Sequence, residues 1–151
     1  MSKFLVAVNG SPTSEKALEA AVNLAESSNA RLVGIGVLDD PGNPQAAFLA
    51  GANGAQGRNR LDELLQSAAS FAGSRGLSLT PVLREGAAAE AILACAKEEH
   101  ADLLVLGAGS RDNDGRGLGS TAGQVSSHCP CPVLLVNSGG WMSLHSAETP
   151  R

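Results

Sequence analysis

Gly107, Ala108, Gly109, Ser110, Arg111, Gly119, Ser120 and Thr121 all lie in one stretch, GAGSRDNDGRGLGST (107–121), which joins glycines to hydroxyls and to two arginines, Arg111 and Arg116. The chemistry these residue types share is anion binding. Glycines beyond a strand end let the backbone take positive φ and let a ligand approach where a Cβ would otherwise stand. Ser120, Thr121 and Ala122 read as the first residues of a helix, where unpaired N–H groups and the positive end of the dipole attract an anion. The hydroxyls add hydrogen bonds, and either arginine adds charge-assisted ones. Each exposed charge–dipole contact contributes only about 0.3–1 kcal/mol, so several must act together.

Other motifs carry less. GRGLGST lacks the lysine that a Walker A loop places before its Ser-Thr pair. SRDNDG resembles the start of an EF-hand loop, but Thr121 stands where the bidentate glutamate belongs, so Asp112 and Asp114 read as solvated loop residues and no protein metal site is expected. His100 and His128 fall at helix C-terminal ends, where capping explains them. Cys95, Cys129 and Cys131 are odd in number and lack metal-ligand spacing, so buried free thiols are expected. No nucleophile has an adjacent base, and an enzyme is not expected.

The glycine-rich stretch needs elements to position it. KFLVAV (3–8) reads as a strand buried on both faces and ends at Asn9, Gly10 and Pro12. Ser11 can cap a helix with Pro12 in its first turn, and Leu18, Ala21, Val22 and Ala25 form its apolar face. A second strand spans 30–40. A second helix runs from Arg58 to about Arg75, with Leu61, Leu64, Leu65, Ala68 and Ala72 on one face and Gly76 placed to end it. The third strand, 77–83, contains Pro81, which cannot donate a ladder bond, so it belongs at a sheet edge. Ala89, Ile92, Leu93 and Ala96 mark a third helix, 101–107 a fourth strand, 120–128 a last helix and 131–136 a fifth strand.

This alternation predicts an α/β domain, a mainly parallel sheet with helices on both faces. Ligands bind such sheets at the carboxyl ends of the strands where the winding reverses. If strand four crosses to the far side of strand one, then Val8-Asn9-Gly10-Ser11 and the start of the glycine-rich stretch are neighbours there.

With 151 residues and 43% apolar content, the chain suits one domain that buries roughly 68–70% of its unfolded surface. A net charge of −4 argues against nucleic acid or an anionic membrane as partner. The chain shows neither a span of roughly 20 apolar residues nor a signal peptide, so a cytoplasmic location is expected.

LVAVNGSPTSEKAL near the start, taken with REGAAAEAILACAKEEHADLLVLGAGSR and GLGSTAGQVSSHCPCPVLLV, resembles the universal stress protein family in its single-domain, ATP-binding form. The resemblance covers about residues 3 to 137. It implies an open, doubly wound, Rossmann-like five-stranded parallel sheet of order 3-2-1-4-5. The implied organisation is a domain over 1–138, with a long flexible loop at 39–60 inside it, and a C-terminal tail at 139–151. The family's motif runs glycine, two residues, glycine, nine residues, glycine and a hydroxyl residue. Gly109, nine residues, Gly119 and Ser120 match its second half, whereas only one residue separates Gly107 from Gly109. By resemblance, backbone groups at Val37 read an adenine edge and Asn9, where the family usually has aspartate, lies beside the nucleoside.

The implied function is a regulatory stress-response module binding ATP, AMP or ADP, with or without Mg. The alternative is a dimeric interaction module of the same fold that has lost the nucleotide. A weak ATPase activity is a lesser reading. A homodimer is expected through the apolar edge strand Val133–Val136, and a regulatory protein partner is a further expectation. Phe48 and Leu49 are read as anchors of the 39–60 loop over the nucleotide or a partner subunit, with plain disorder of the loop as the alternative.

Overall fold

In the computed structural model, which describes residues 2–38, 54–108, 120–137, 139 and 142–145, the apolar runs become strands of one sheet. These are β1 (Lys3–Ala7), β2 (Arg31–Leu38), β3 (Leu79–Glu85), β4 (Leu103–Gly107), β5 (Val133–Val136) and β6 (Met142–His145), ordered β3-β2-β1-β4-β5-β6. The first five are mutually parallel in the expected order 3-2-1-4-5, and β6 is antiparallel to β5. Between them run α1 (Pro12–Ser28), α2 (Gly54–Ser74), α3 (Ala88–Glu98) and α4 (Ser120–His128).

Strand alternation divides the core into two layers. Leu5, Ala7, Leu104 and Leu106 face α3 and α4, which contribute Ala89, Ile92, Ala96, Ala122 and Val125. Phe4, Val6 and Val105 face α1 and α2, which contribute Ala17, Ala21, Val22, Leu65, Ala68 and Ala72. Each fully buried Val or Leu stabilises the fold by roughly 1.5–3 kcal/mol. Small alanines on all four helices let them lie close to the sheet.

The helix ends follow the chemistry of their residues. Ser11 caps α1, its Oγ accepting from Ser14 N–H at 3.2 Å. Gly76, at φ 79°, ends α2: its N–H donates to Gly73 O and Leu77 N–H donates to Ala72 O, the two bonds of a Schellman turn. Asn29 and His100 take the same left-handed conformation after α1 and α3, at φ 56° and 54°. Arg75 then clamps the ends of α1 and α2 together, with both its Nε and Nη2 on the Glu26 carboxylate.

Most strand ends shift by one or two residues from expectation, and three differences matter for the fold. β3 begins and ends two residues later than 77–83, although Pro81 does lie on an edge strand, facing Gly34. α2 starts at Gly54 rather than Arg58, so the end of the supposed 39–60 loop is helix. Phe48 and Leu49 lie outside the described residues. Finally, Val133–Val136 is not an edge: β6 pairs with it from Val133↔His145 to Val136↔Met142. The ladder groups expected to recruit a second copy are taken by the chain's own residues 142–145, so the expected homodimer through Val133–Val136 loses its premise. That region, read as a tail, belongs to the sheet. Among the described residues, no helix is long and apolar enough to cross a membrane.

Candidate functional site

β1 and β4 are hydrogen-bonded neighbours, with Phe4, Leu5 and Val6 in register with Leu103, Leu104 and Val105. From β1 the chain winds to β2 and β3 on one side, and β4 begins the other. The winding therefore reverses between β1 and β4, and the crevice lies beyond their carboxyl ends. Val8, Asn9, Gly10 and Ser11 leave β1 at this point, and Gly107 and Ala108 leave β4 beside them. A helix returning from one parallel strand to the next begins at the carboxyl edge, so Ser11 at the start of α1 and Ser120 and Thr121 at the start of α4 lie on the same rim.

The turn after β1 is held by its own side chains. Asn9 Oδ1 accepts from Ser11 N–H at 2.9 Å, and Gly10 between them takes φ 83°. Ser14, buried although polar, accepts from Asn9 N–H at 3.0 Å and donates to Ala7 O at 3.2 Å. Ser11 Oγ and Thr13 Oγ1 are 3.4 Å apart. Asn9 is exposed, as a group beside a ligand would be, but its oxygen is committed to the turn.

Gly107 is glycine for a packing reason. A Cβ there would lie 2.6 Å from Thr13 Oγ1 and 2.8 Å from Ser14 N, inside the first turn of α1. The strand thus comes against the helix start at a distance only glycine permits. Ala108 is buried, and its N–H donates to Val136 O at 2.8 Å, which continues the sheet one residue beyond β4.

Val37 is placed by strand alternation. Arg31 N–H bonds toward β1 and Leu32 N–H toward β3, and Ile35 O accepts from Val8 N–H, the last bond joining β1 to β2. Odd residues of β2 therefore direct their N–H and C=O toward β1. At Val37 those groups project past the last β1 rung, into the crevice. Gly36 lets α2 close over this point, since a Cβ there would meet Leu61 Cγ at 2.8 Å. Gly10 likewise lies under Leu64, whose Cδ1 would be 3.0 Å from an added Cβ.

The structure thus brings together Val8, Asn9, Gly10, Ser11, Val37, Gly107 and Ala108, with the starts of α1 and α4 on the same rim. Gly109, Ser110, Arg111, Arg116 and Gly119 lie outside the described residues. None of the site residues within the described part is ionisable, so the electropositive groups they bring to the crevice are helix N-termini and backbone N–H groups. Sequence reasoning missed Thr13, Ser14 and Gly36. Their signals were present: three hydroxyl residues at a helix start where one suffices as cap, and a glycine inside an otherwise apolar strand.

A parallel sheet wound both ways from β1, with its crevice between two helix starts, defines a Rossmann-like α/β protein, a fold whose members take ligands at the switch point. The universal stress protein family model matches residues 1–137, and the chain belongs to that family. It is 32% identical over 151 aligned residues to universal stress protein YxiE of Bacillus subtilis, covering 89% of this chain and 98% of that one. A universal stress family protein from Burkholderia pseudomallei superposes with a TM-score of 0.68 at 32% identity, over 89% of this chain and 95% of that one. A universal stress protein solved in complex with cAMP superposes at 0.71 with 26% identity, over 91% and 97%.

Proposed function

We propose that this universal stress protein is a regulatory module that binds an adenine nucleotide, ATP, AMP or ADP, at the β1–β4 switch point. The observation that carries the reading is the convergence at one crevice of three features: the Val37 backbone groups beyond the last β1 rung, the Asn9-Gly10-Ser11 turn, and the start of α4 at Ser120 and Thr121. A neighbour of the same fold in complex with cAMP supports an adenine nucleotide as the ligand.

Each part has a role matched to its chemistry. Val37 N–H and C=O present a donor and an acceptor side by side, the complement of an adenine edge. Asn9, with its oxygen held by Ser11 N–H, faces the nucleoside. Gly109, Ser110, Arg111 and Gly119 lead to Ser120 and Thr121, and together they take the phosphates. Mg, where present, travels on the nucleotide phosphates, because Asn9 replaces the family's carboxylate at the crevice. The bound state is passed to a protein partner.

Calorimetric titration with ATP, ADP and AMP tests the reading. Saturable binding to one site is expected, and Gly119→Val is expected to weaken it at least about tenfold, the loss of roughly 1.4 kcal/mol. Unchanged affinity in that variant would remove the phosphate site from the glycine-rich stretch. A flat titration of the wild type with all three nucleotides would leave the ligand-free interaction module as the reading.

A further inference from the structure

Cys129 and Cys131 stand on either side of Pro130, between the last residue of α4 and the first of β5. Their sulfurs are 3.6 Å apart. A disulfide requires roughly 2.0 Å, so the two sulfurs need to close by only about 1.6 Å to bond. Both thiols face the inner core layer that holds Ala96 and Val125, beneath a turn whose Pro130 and Pro132 are exposed. Cys95 shares that layer but is fully buried, whereas Cys129 and Cys131 keep 4% and 8% exposure. The nucleotide crevice does not use this pair, because α4 and β5 carry it at the opposite, amino edge of the sheet.

We propose that Cys129 and Cys131 form a redox-active dithiol that a small peroxide oxidises to an intramolecular disulfide. The Cys129 thiolate attacks one peroxide oxygen: the S–O bond forms, the O–O bond breaks, and the departing hydroxide takes a proton to leave as water. Cys129 is then a sulfenic acid, oxidised by two electrons. Cys131 releases its proton and attacks Cys129 Sγ; the S–S bond forms, the S–O bond breaks, and hydroxide and proton leave as a second water. In sum, two thiols and one hydrogen peroxide give one disulfide and two waters.

The two sulfurs share one hydrogen bond, and with Cys131 as its donor that bond brings the Cys129 pKa down to about 7 while it and burial push Cys131 up, so Cys129 takes the first role. Peroxide is the fitting oxidant because sulfurs this enclosed exclude a bulky disulfide. A bridge across a single proline is strained, so a small dithiol reverses it.

The test uses the reduced full chain, treated with hydrogen peroxide, denatured, labelled with N-ethylmaleimide and digested with trypsin. The peptide 117–151, which carries both Cys129 and Cys131, is expected unlabelled and lighter by two hydrogens. The peptide 85–97 with Cys95 is expected labelled, with protection of the pair exceeding that of Cys95 by about tenfold or more. Dithiothreitol is expected to restore labelling at 117–151, and Cys95→Ala to change nothing. Dimedone is expected to trap a sulfenic acid at Cys129 in Cys131→Ser, whose hydroxyl keeps a donor beside Cys129 but cannot form the disulfide, circular dichroism confirming that this variant is folded. Full labelling of wild-type 117–151 after peroxide, sulfinic acid there without the disulfide, or protection of Cys95 equal to that of the pair would each overturn the proposal.

Discussion

At the residue scale, the site depends on atoms whose role is to let other atoms approach. Gly107 is the sharpest case, since a Cβ there would press on Thr13 Oγ1 and on the backbone of Thr13 and Ser14. Helix backbone yields less easily than a side-chain tip. Gly107→Ala is therefore expected to push the start of α1 away from β4 at a cost of about 1–3 kcal/mol. At roughly 2–4 °C per kcal/mol for a chain of this size, thermal unfolding reads this as a clear fall in Tm. An unchanged Tm would mean that α1 and β4 are less closely seated than their geometry requires. The sequence showed that a glycine stood here, and assigned it to ligand approach; the helix it touches lies about 95 residues away in the chain, and no local pattern reports such a contact. Asn9 is similar. Its position beside the crevice was legible from the break after β1, but the commitment of its oxygen to Ser11 N–H appears only once the turn is built.

At the scale of elements, periodicity and punctuation were good guides where both agreed. α1 begins at Pro12 behind its Ser11 cap, α2 stops at Ser74 just ahead of the left-handed Gly76, and α4 spans 120–128 as its pattern predicts. The start of α2 escaped because Gly54, Ala55, Gln56 and Gly57 carry neither an apolar period nor a cap, and helix propagates back through them from the buried Leu61 and Leu65 face. One helix end carries a strain that substitution can relieve. His100 follows α3 at φ 54° with its N–H on Lys97 O, and Ala101 N–H on Ala96 O completes a Schellman turn. A left-handed residue with a Cβ costs roughly 1–2 kcal/mol, which glycine avoids. His100→Gly is expected to stabilise the protein by about 1 kcal/mol in urea unfolding, and Asn29→Gly after α1 by less, because asparagine tolerates this conformation. Equal or destabilising effects at both positions would show that side-chain contacts of His100 outweigh its backbone strain.

At the scale of the whole molecule, the family resemblance predicted the five parallel strands and their order, and it fell short where the chain continues past the family. The model of that family ends at residue 137, and β6 begins at Met142. Four residues, MSLH, are too few to announce a strand by alternation, and they form one because β5 offers a ready ladder. The consequence concerns association. Val133–Val136 is an apolar strand without a charge, the kind of edge that recruits another chain when bare, and β6 covers it from within the same molecule. Full-length protein is therefore expected to be monomeric with respect to this edge, with its mass in light scattering independent of concentration through the micromolar range. Removing residues 138–151 bares Val133–Val136, and the shortened protein is expected to associate to a dimer in the same range while keeping its far-ultraviolet circular dichroism. β5 retains its Leu104–Gly107 pairing with β4, so the sheet itself does not depend on β6. A shortened protein that stays folded and monomeric would show that the β5 edge does not drive association. A full-length dimer dissociated by the same truncation would show instead that β6, with its exposed Leu144, is the surface that pairs.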